Sequence, residues 1–312
     1  MKFNQHTIQW FIAIVLAMLS GHAVAQYNGH NLRGDFGLMA GTQPGQGWYA
    51  GLLGVNYGVD SLRNSNGNDL ASGGELVVNA IAPYAWWVSD KKMLGGNYSI
   101  FASASWANNA LEAPVFDVSS STGLGAGDLY VQPVNLGWHT NRADYMAGVG
   151  VFAPTGRYTD GASDNTGLGM WSYELFGGTT VYLDNARSWS FAALAFYETH
   201  SSKEDSDVKV GDILTIEGGL GKSWADGAAA FGISYFAQWK VTADEIAAGI
   251  TNPNKHEIFG IGPELVLPLA SKKKFYGTLN VRYLWDVGVK SNTEGNTFLV
   301  MATFPIPSIP LN

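Results

Sequence analysis

From residue 48 to residue 305, apolar and polar positions alternate with a period of two, in stretches broken by turn-forming residues. Twelve stretches fit this description: 48–60, 74–89, 95–107, 127–140, 143–156, 170–184, 188–200, 209–224, 228–242, 256–270, 274–288 and 295–305. Each is long enough for the roughly 9–11 tilted residues with which a β-strand crosses an outer membrane. In the sixth, Trp171, Tyr173, Leu175, Val181 and Leu183 oppose Ser172, Glu174, Thr180 and Asp184. In the ninth, Phe231, Ile233, Tyr235 and Trp239 oppose Gly232, Ser234, Gln238 and Lys240. In the eleventh, Phe275, Leu279, Val281, Tyr283, Trp285 and Val287 oppose Thr278, Asn280, Arg282 and Asp286. In the first, Tyr49, Leu53, Val55, Tyr57 and Val59 oppose Ala50, Gly54, Asn56 and Gly58, which puts the former set against lipid.

A soluble sandwich alternates as well, so two further features decide. Trp and Tyr sit at the ends of the apolar faces, at Tyr49 and Tyr57, Tyr84 and Trp86, Tyr98 and Trp106, Trp171 and Tyr173, Tyr283 and Trp285, where interfacial girdles belong. The polar faces carry charges in mid-strand, which a dry sandwich core would not tolerate and a wet or networked lumen would. The connections also alternate in length. Short turns (Asp90-Lys91-Lys92, Asn141-Arg142, Asn185-Ala186-Arg187, Asp226-Gly227, Ser271-Lys272-Lys273) trade with longer segments around 61–73, 108–126, 157–169, 201–208, 243–255 and 289–294. This rhythm predicts an all-β fold: a transmembrane, antiparallel, up-and-down β-barrel of about 12 strands with both ends on the periplasmic side.

Composition agrees with a surface that faces lipid. Only 14% of the residues are charged, against roughly 25% in a typical soluble domain. No run of about 18 apolar residues would make a helical span. There is no cysteine, so the fold is held by pairing and packing alone, and a net charge of −8 argues against nucleic acid. The N-terminus reads as a secretory signal: Lys2, an apolar run from Trp10 to Leu19 and the small-x-small site Ala23-Val24-Ala25. The predicted division is a signal peptide over 1–25, a periplasmic or plug-like segment over 26–47, the barrel over 48–305 and a proline-rich tail over 306–312. The prolines after Phe304 are not expected to continue a strand.

Alternation points Glu174, Glu198, Glu217, Gln238, Lys240, Glu264, Arg282 and Asp286 inward, on neighbouring strands six to eleven. Such a set reads as a selectivity track or as a hydrogen-bonded ladder that fills a narrow barrel. Phe101, Trp87, Phe176, Phe196 and Phe236 fall on the same nominal face and suit passage of apolar or aromatic molecules. The loop Leu111–Val118 is apolar enough to fold inward or to capture substrate at the mouth. The acidic loops at Asp160, Asp164 and Asn165, and at Glu204, Asp205 and Asp207, lack EF-hand spacing and read as solvated, so no metal and no cofactor is expected. Enzyme signatures are missing, and in Thr199-His200-Ser201 the adjacent His and Ser point to opposite faces of an extended segment, which speaks against a lipid hydrolase.

Several stretches resemble the outer-membrane family of the meta-pathway of phenol degradation. They are Gly34-Asp35-Phe36, Gly45-Gln46-Gly47-Trp48-Tyr49, Gly127-Asp128-Leu129-Tyr130-Val131-Gln132-Pro133, Leu136-Gly137-Trp138 and the block Ala153 to Gly169. Further matches are Gly211-Asp212-Ile213-Leu214-Thr215, Tyr235 to Thr242 and Val281-Arg282-Tyr283-Leu284-Trp285. The resemblance implies a transporter-like outer-membrane protein near aromatic catabolism and carries no site residues with it. The expectation is a bacterial outer-membrane channel, not an enzyme, that passes small hydrophobic, aromatic compounds by facilitated diffusion. Its partners would be the lipid bilayer and lipopolysaccharide, the outer-membrane assembly machinery and the substrate. The alternatives are a structural or interaction barrel with a sealed lumen and an outer-membrane lipid hydrolase.

Overall fold

The computed structural model describes residues 27–113, 118–162, 164–224, 228–247, 250–253, 255–307 and 309–310. The expected signal peptide lies outside the described residues. Twelve antiparallel strands form one sheet: β1 Gly47–Arg63, β2 Asp69–Met93, β3 Gly96–Ser103, β4 Leu129–His139, β5 Ala143–Ala153, β6 Ser172–Tyr182, β7 Trp189–His200, β8 Ile213–Trp224, β9 Ala229–Lys240, β10 Glu257–Ala270, β11 Lys274–Lys290 and β12 Thr293–Ile306. Neighbours in sequence are neighbours in space, and β1 pairs with both β2 and β12, so the sheet closes on itself. Closure removes the open sheet edges and lets the ladder bonds be made within the wall, as a lipid-facing sheet requires.

Pro133 shows how the sequence is accommodated. A proline cannot donate to a ladder, and the β4–β5 register shifts between Val131 and Val134, so the residue sits in a bulge. At the C-terminus, pairing runs through Pro305, opposite Tyr49, to Ile306, and Ile309–Pro310 pairs again with Lys274–Phe275. The proline-rich tail therefore does resume sheet pairing, because the two residues bond along the margin of β11.

The outer wall carries the apolar band. Leu175 is 64% exposed and Phe231 57%, while their strand neighbours Glu174 and Gly232 are buried. Trp171, Tyr173 and Trp285 mark one end of the band and Trp48, Trp189 and Trp224 the other. Strands β6, β9 and β11 follow the alternation of their sequences. The first strand does not. Leu53 and Val55 pack inside, against a cluster of Phe236, Ile258, Leu284, Val289 and Leu299, and Tyr57 reaches the carboxylate of Asp286. Its lipid face is Trp48, Leu52 and the small residues between. Tyr84 and Trp86 likewise turn inward, the former to Thr303 and the latter to Ser99, while Trp87 lies outside, tilted against Trp48. The physical reason is that the inside of this barrel holds an apolar segment of its own, so apolarity does not by itself mark the lipid face.

Connections at one end are short: Leu94–Gly95, 140–142, 183–188 and 271–273. At the other end only some are long. The segment predicted as a loop at 61–73 is mostly strand, since β1 runs to Arg63 and β2 starts at Asp69, and the one at 289–294 shrinks to Ser291 and Asn292. Arg63 locks both, with Asp69 at 2.8 Å and Glu294 at 2.5 Å. Trp106–Ala113 pairs with β2 and with Val118–Ser121 in a tall hairpin, and the tip of the expected apolar loop, 114–117, lies outside the described residues.

Residues 27–46 belong to no helix or strand and run through the barrel interior. Gln43 bonds Asn97 and Ser99 of β3 near the short-turn end. Tyr27 meets Lys240, the last residue of β9, at the long-loop end. The segment thus crosses the lumen from the long-loop mouth to the base of β1.

Candidate functional site in the barrel interior

Of the thirteen inward candidates all but Trp87, which lies outside against Trp48, are buried or half-buried inside the wall, and most of the polar ones hold the interior segment. Glu198 accepts from the backbone N–H of His30 at 2.7 Å and of Asn31 at 3.3 Å. Glu174 accepts the side-chain amide of Asn31 at 3.1 Å and the hydroxyl of Tyr130. Glu217 accepts the N–H of Phe36 at 2.9 Å, and Glu264 that of Leu38 at 2.9 Å. Arg282 donates to the carbonyl of Gly34 and lies 3.1 Å from Glu264. Lys240 donates to the carbonyl of Tyr27 at 2.7 Å and pairs with Asp244. Gln238 bonds Thr215, and Asp286 accepts from Tyr57 and from the N–H of Gly295.

The pattern has a simple chemistry. An irregular segment leaves its backbone amides without partners, and a buried amide without an acceptor is costly. The wall supplies carboxylates as acceptors, and these charge-assisted bonds are the stronger kind. The close approach needs glycine: a Cβ on Gly37 would run into the Glu264 carboxylate, and one on Gly41 into the backbone of Thr179.

The aromatic candidates pack on the same segment. Phe176 and Phe196 form a cluster with Ala40, Met146, Ala192 and Leu194, flanked by Phe36 and Trp86. Phe236 sits with Leu284 and Leu299, flanked by Leu32 and within 5.9 Å of the Arg33 guanidinium. Phe101 contacts Tyr84, Trp86 and Tyr130.

Sequence reasoning missed the mouth of the lumen. There His30 bonds Asp128 at 2.8 Å through one ring nitrogen and Ser172 at 2.7 Å through the other, and its ring stacks on Phe152 at 4.6 Å and 12°. Asp128 also caps the backbone of Gly156 and Leu168. Burial pushes its carboxyl up, but the bonds from His30 and these amides outweigh it and hold the group below the usual carboxylate range. Ser172 is fully buried beneath the segment, so the Ser–His–Asp contact has no room for a lipid ester. His200 and Ser201 do separate: the His ring faces Glu198 inside, and the Ser hydroxyl accepts from Trp171 N–H. Among the described residues no cluster of three or more His, Asp or Glu side chains is placed to hold a metal.

A family model described as "Putative MetA-pathway of phenol degradation" matches residues 59–302. No curated protein matches the sequence. Among solved structures, an outer membrane channel from Pseudomonas putida F1 is similar with a TM-score of 0.74 at 14% identity, over 84% of this chain and 97% of that one. The CymD monoaromatic hydrocarbon channel gives a TM-score of 0.44 at 10% identity, over 86% and 90% of the two chains. The translocator domain of the autotransporter NalP from Neisseria meningitidis also gives 0.44 at 10%, over 96% and 97%. The first of these supports the twelve-strand outer-membrane barrel as a fold.

Proposed function

The chain belongs to the family of the MetA-pathway of phenol degradation, and from that premise we propose that it is an outer-membrane channel for small hydrophobic, aromatic compounds. It sits in the bacterial outer membrane with its short turns towards the periplasm and works by facilitated diffusion, without catalysis. The observation that carries this reading is the interior itself. The lumen is lined by Phe101, Phe176, Phe196 and Phe236, and it is occupied by a segment outside the sheet that is held through side-chain acceptors. A general diffusion pore needs neither an aromatic lining nor an occupant.

Mechanistically, residues 27–46 act as a displaceable plug. Their bonds to Glu198, Glu217 and Glu264 are noncovalent, so the segment can exchange with a passing molecule while the wall stays intact. Lipid and lipopolysaccharide cover the outer band, and the assembly machinery inserts the chain. Uptake of phenol and toluene by liposomes carrying the purified protein tests the reading, alongside growth of a deletion strain on phenols. Faster entry than into empty liposomes is expected.

A second reading, a sealed barrel that anchors its loops, is favoured by the same occupied lumen. It predicts uptake equal to empty liposomes and normal growth of the deletion strain.

A further inference from the structure

We propose that the slot filled by the His30 imidazole is a binding subsite for an uncharged hydroxylated aromatic ring, taken up when the interior segment withdraws. The inference rests on the displaceable-plug reading above and names the ligand chemistry at its mouth.

The imidazole is a flat aromatic ring with polar atoms at its edge, and the site receives both features. Its face lies nearly parallel to Phe152, at 4.6 Å and 12°. Such stacked pairs contribute beyond their buried area. At its edge stand three polar groups: the Asp128 carboxylate at 2.8 Å, the Ser172 hydroxyl at 2.7 Å and the Glu198 carboxylate at 3.7 Å. All three are buried, and two of them are acceptors only. A ligand that replaces the imidazole must therefore bring a ring and at least one O–H or N–H. A bare hydrocarbon would replace none of the hydrogen bonds that the imidazole makes to Asp128 and Ser172, and an aromatic carboxylate would place a third negative charge beside Asp128 and Glu198.

The wall already contains an example of the interaction. Tyr130 is a phenol held in this protein: its ring stacks on the other side of Phe152, at 4.1 Å and 23°, and its hydroxyl donates to Glu174. Phe152 is thus the middle layer of a three-ring stack in which one outer ring is fixed to the wall and the other is carried by the segment. The fixed ring and the removable ring both meet a carboxylate at their polar edge. The removable position is the one at the long-loop mouth, where an incoming molecule would arrive first.

The test uses the full chain with His30→Ala, which empties the slot and leaves the wall as it is. Binding of phenol, catechol, toluene and benzoate is measured by saturation-transfer NMR and calorimetry. Catechol and phenol are expected to bind the variant about tenfold more tightly than the native protein, with benzoate and toluene unchanged. Adding Phe152→Leu is expected to remove that gain. Equal gains for benzoate and catechol, a gain that survives Phe152→Leu, or no gain at all would overturn the subsite. The liposome assay is separate: uptake no faster than into empty liposomes sinks the channel reading, whereas ring binding by His30→Ala reports on the slot alone.

Discussion

Glu174 and Glu198 are direct cross-strand partners on β6 and β7, and both are buried, at 3% and 1% exposure. Two carboxylates in that relation repel if both are ionised, and no lysine or arginine bonds either of them among the described residues. Asn31 bridges them, giving its amide to Glu174 and its backbone N–H to Glu198, while Tyr130 donates to Glu174 and the His30 N–H and the His200 ring meet Glu198. Asn31→Asp would keep the shape and add a third carboxylate. The segment is expected to lose about 1–3 kcal/mol of seating, roughly five- to a hundredfold in its displaced population. Trypsin cleavage after Arg33, which lies within the same segment, reads this in the folded protein. An unchanged cleavage rate would show that Asn31 does not hold the segment.

Arg282 holds two things at once: the Glu264 carboxylate of the neighbouring strand and the Gly34 carbonyl of the segment. Arg282→Met would leave Glu264 buried with an uncompensated charge, a change that costs about 3–5 kcal/mol. Glu264→Gln should cost less, because it removes the charge and keeps one carbonyl oxygen to accept from Leu38 N–H, while the Asn280 amide, which meets the other carboxylate oxygen, loses its acceptor. Denaturant unfolding in detergent micelles should therefore rank native above Glu264→Gln above Arg282→Met. The reverse order would mean that the pair is dispensable in the wall.

These two cases also show what was legible in the sequence. On β6, β9 and β11 the outer face meets lipid and the inner face meets polar atoms, so Leu175 against Glu174, or Trp285 against Arg282, can be sorted by residue type alone. On β1 that contrast disappears, because Leu53 and Val55 pack on the same buried apolar cluster as Leu32 of the interior segment. The candidate carboxylates could be found because a charge in mid-strand is unusual in a lipid-facing sheet. Their partners could not, since Glu217 and Glu264 bind backbone N–H groups, which every residue but proline carries. The glycines of that segment, Gly29, Gly34, Gly37 and Gly41, are the sequence's sign that a main chain comes close to a wall there.

The long-loop end has a pH response of its own. Burial pushes the Lys203 ammonium down to about 8 from an ordinary 10.5, with Asp128 and Asp160 only partly offsetting it. Its nitrogen donates to the Leu168 carbonyl at 2.7 Å and lies over the Tyr158 ring. The folded loop therefore binds a proton less readily than the unfolded one, and its stability should rise with pH between about 8 and 10.5. Below pH 8 the penalty is fully present. Amide exchange at Lys203 and Glu204, whose N–H groups bond Val208 and Gly169, should slow across that window once intrinsic rates are divided out. Lys203→Met should flatten the profile, and a slope retained in that variant would assign the effect to another group.

The far end of the segment offers a way to decide whether it moves at all. The side chain of Asn28 accepts from the amide of Asn292, in the turn between β11 and β12, at 3.1 Å. The protein has no cysteine, so Asn28→Cys with Asn292→Cys introduces a single possible intramolecular bridge, made by an oxidant or a short thiol-linking reagent. A displaceable plug predicts that bridging stops the uptake of aromatic compounds into liposomes and that reduction restores it. It also predicts protection of Arg33 from trypsin in the bridged form. The bridge lies at the mouth, away from Phe176 and Phe236, so the aromatic lining is left as it was. Uptake that continues at the native rate after complete bridging would mean that molecules pass without moving the segment, and the gating role of residues 27–46 would have to be abandoned.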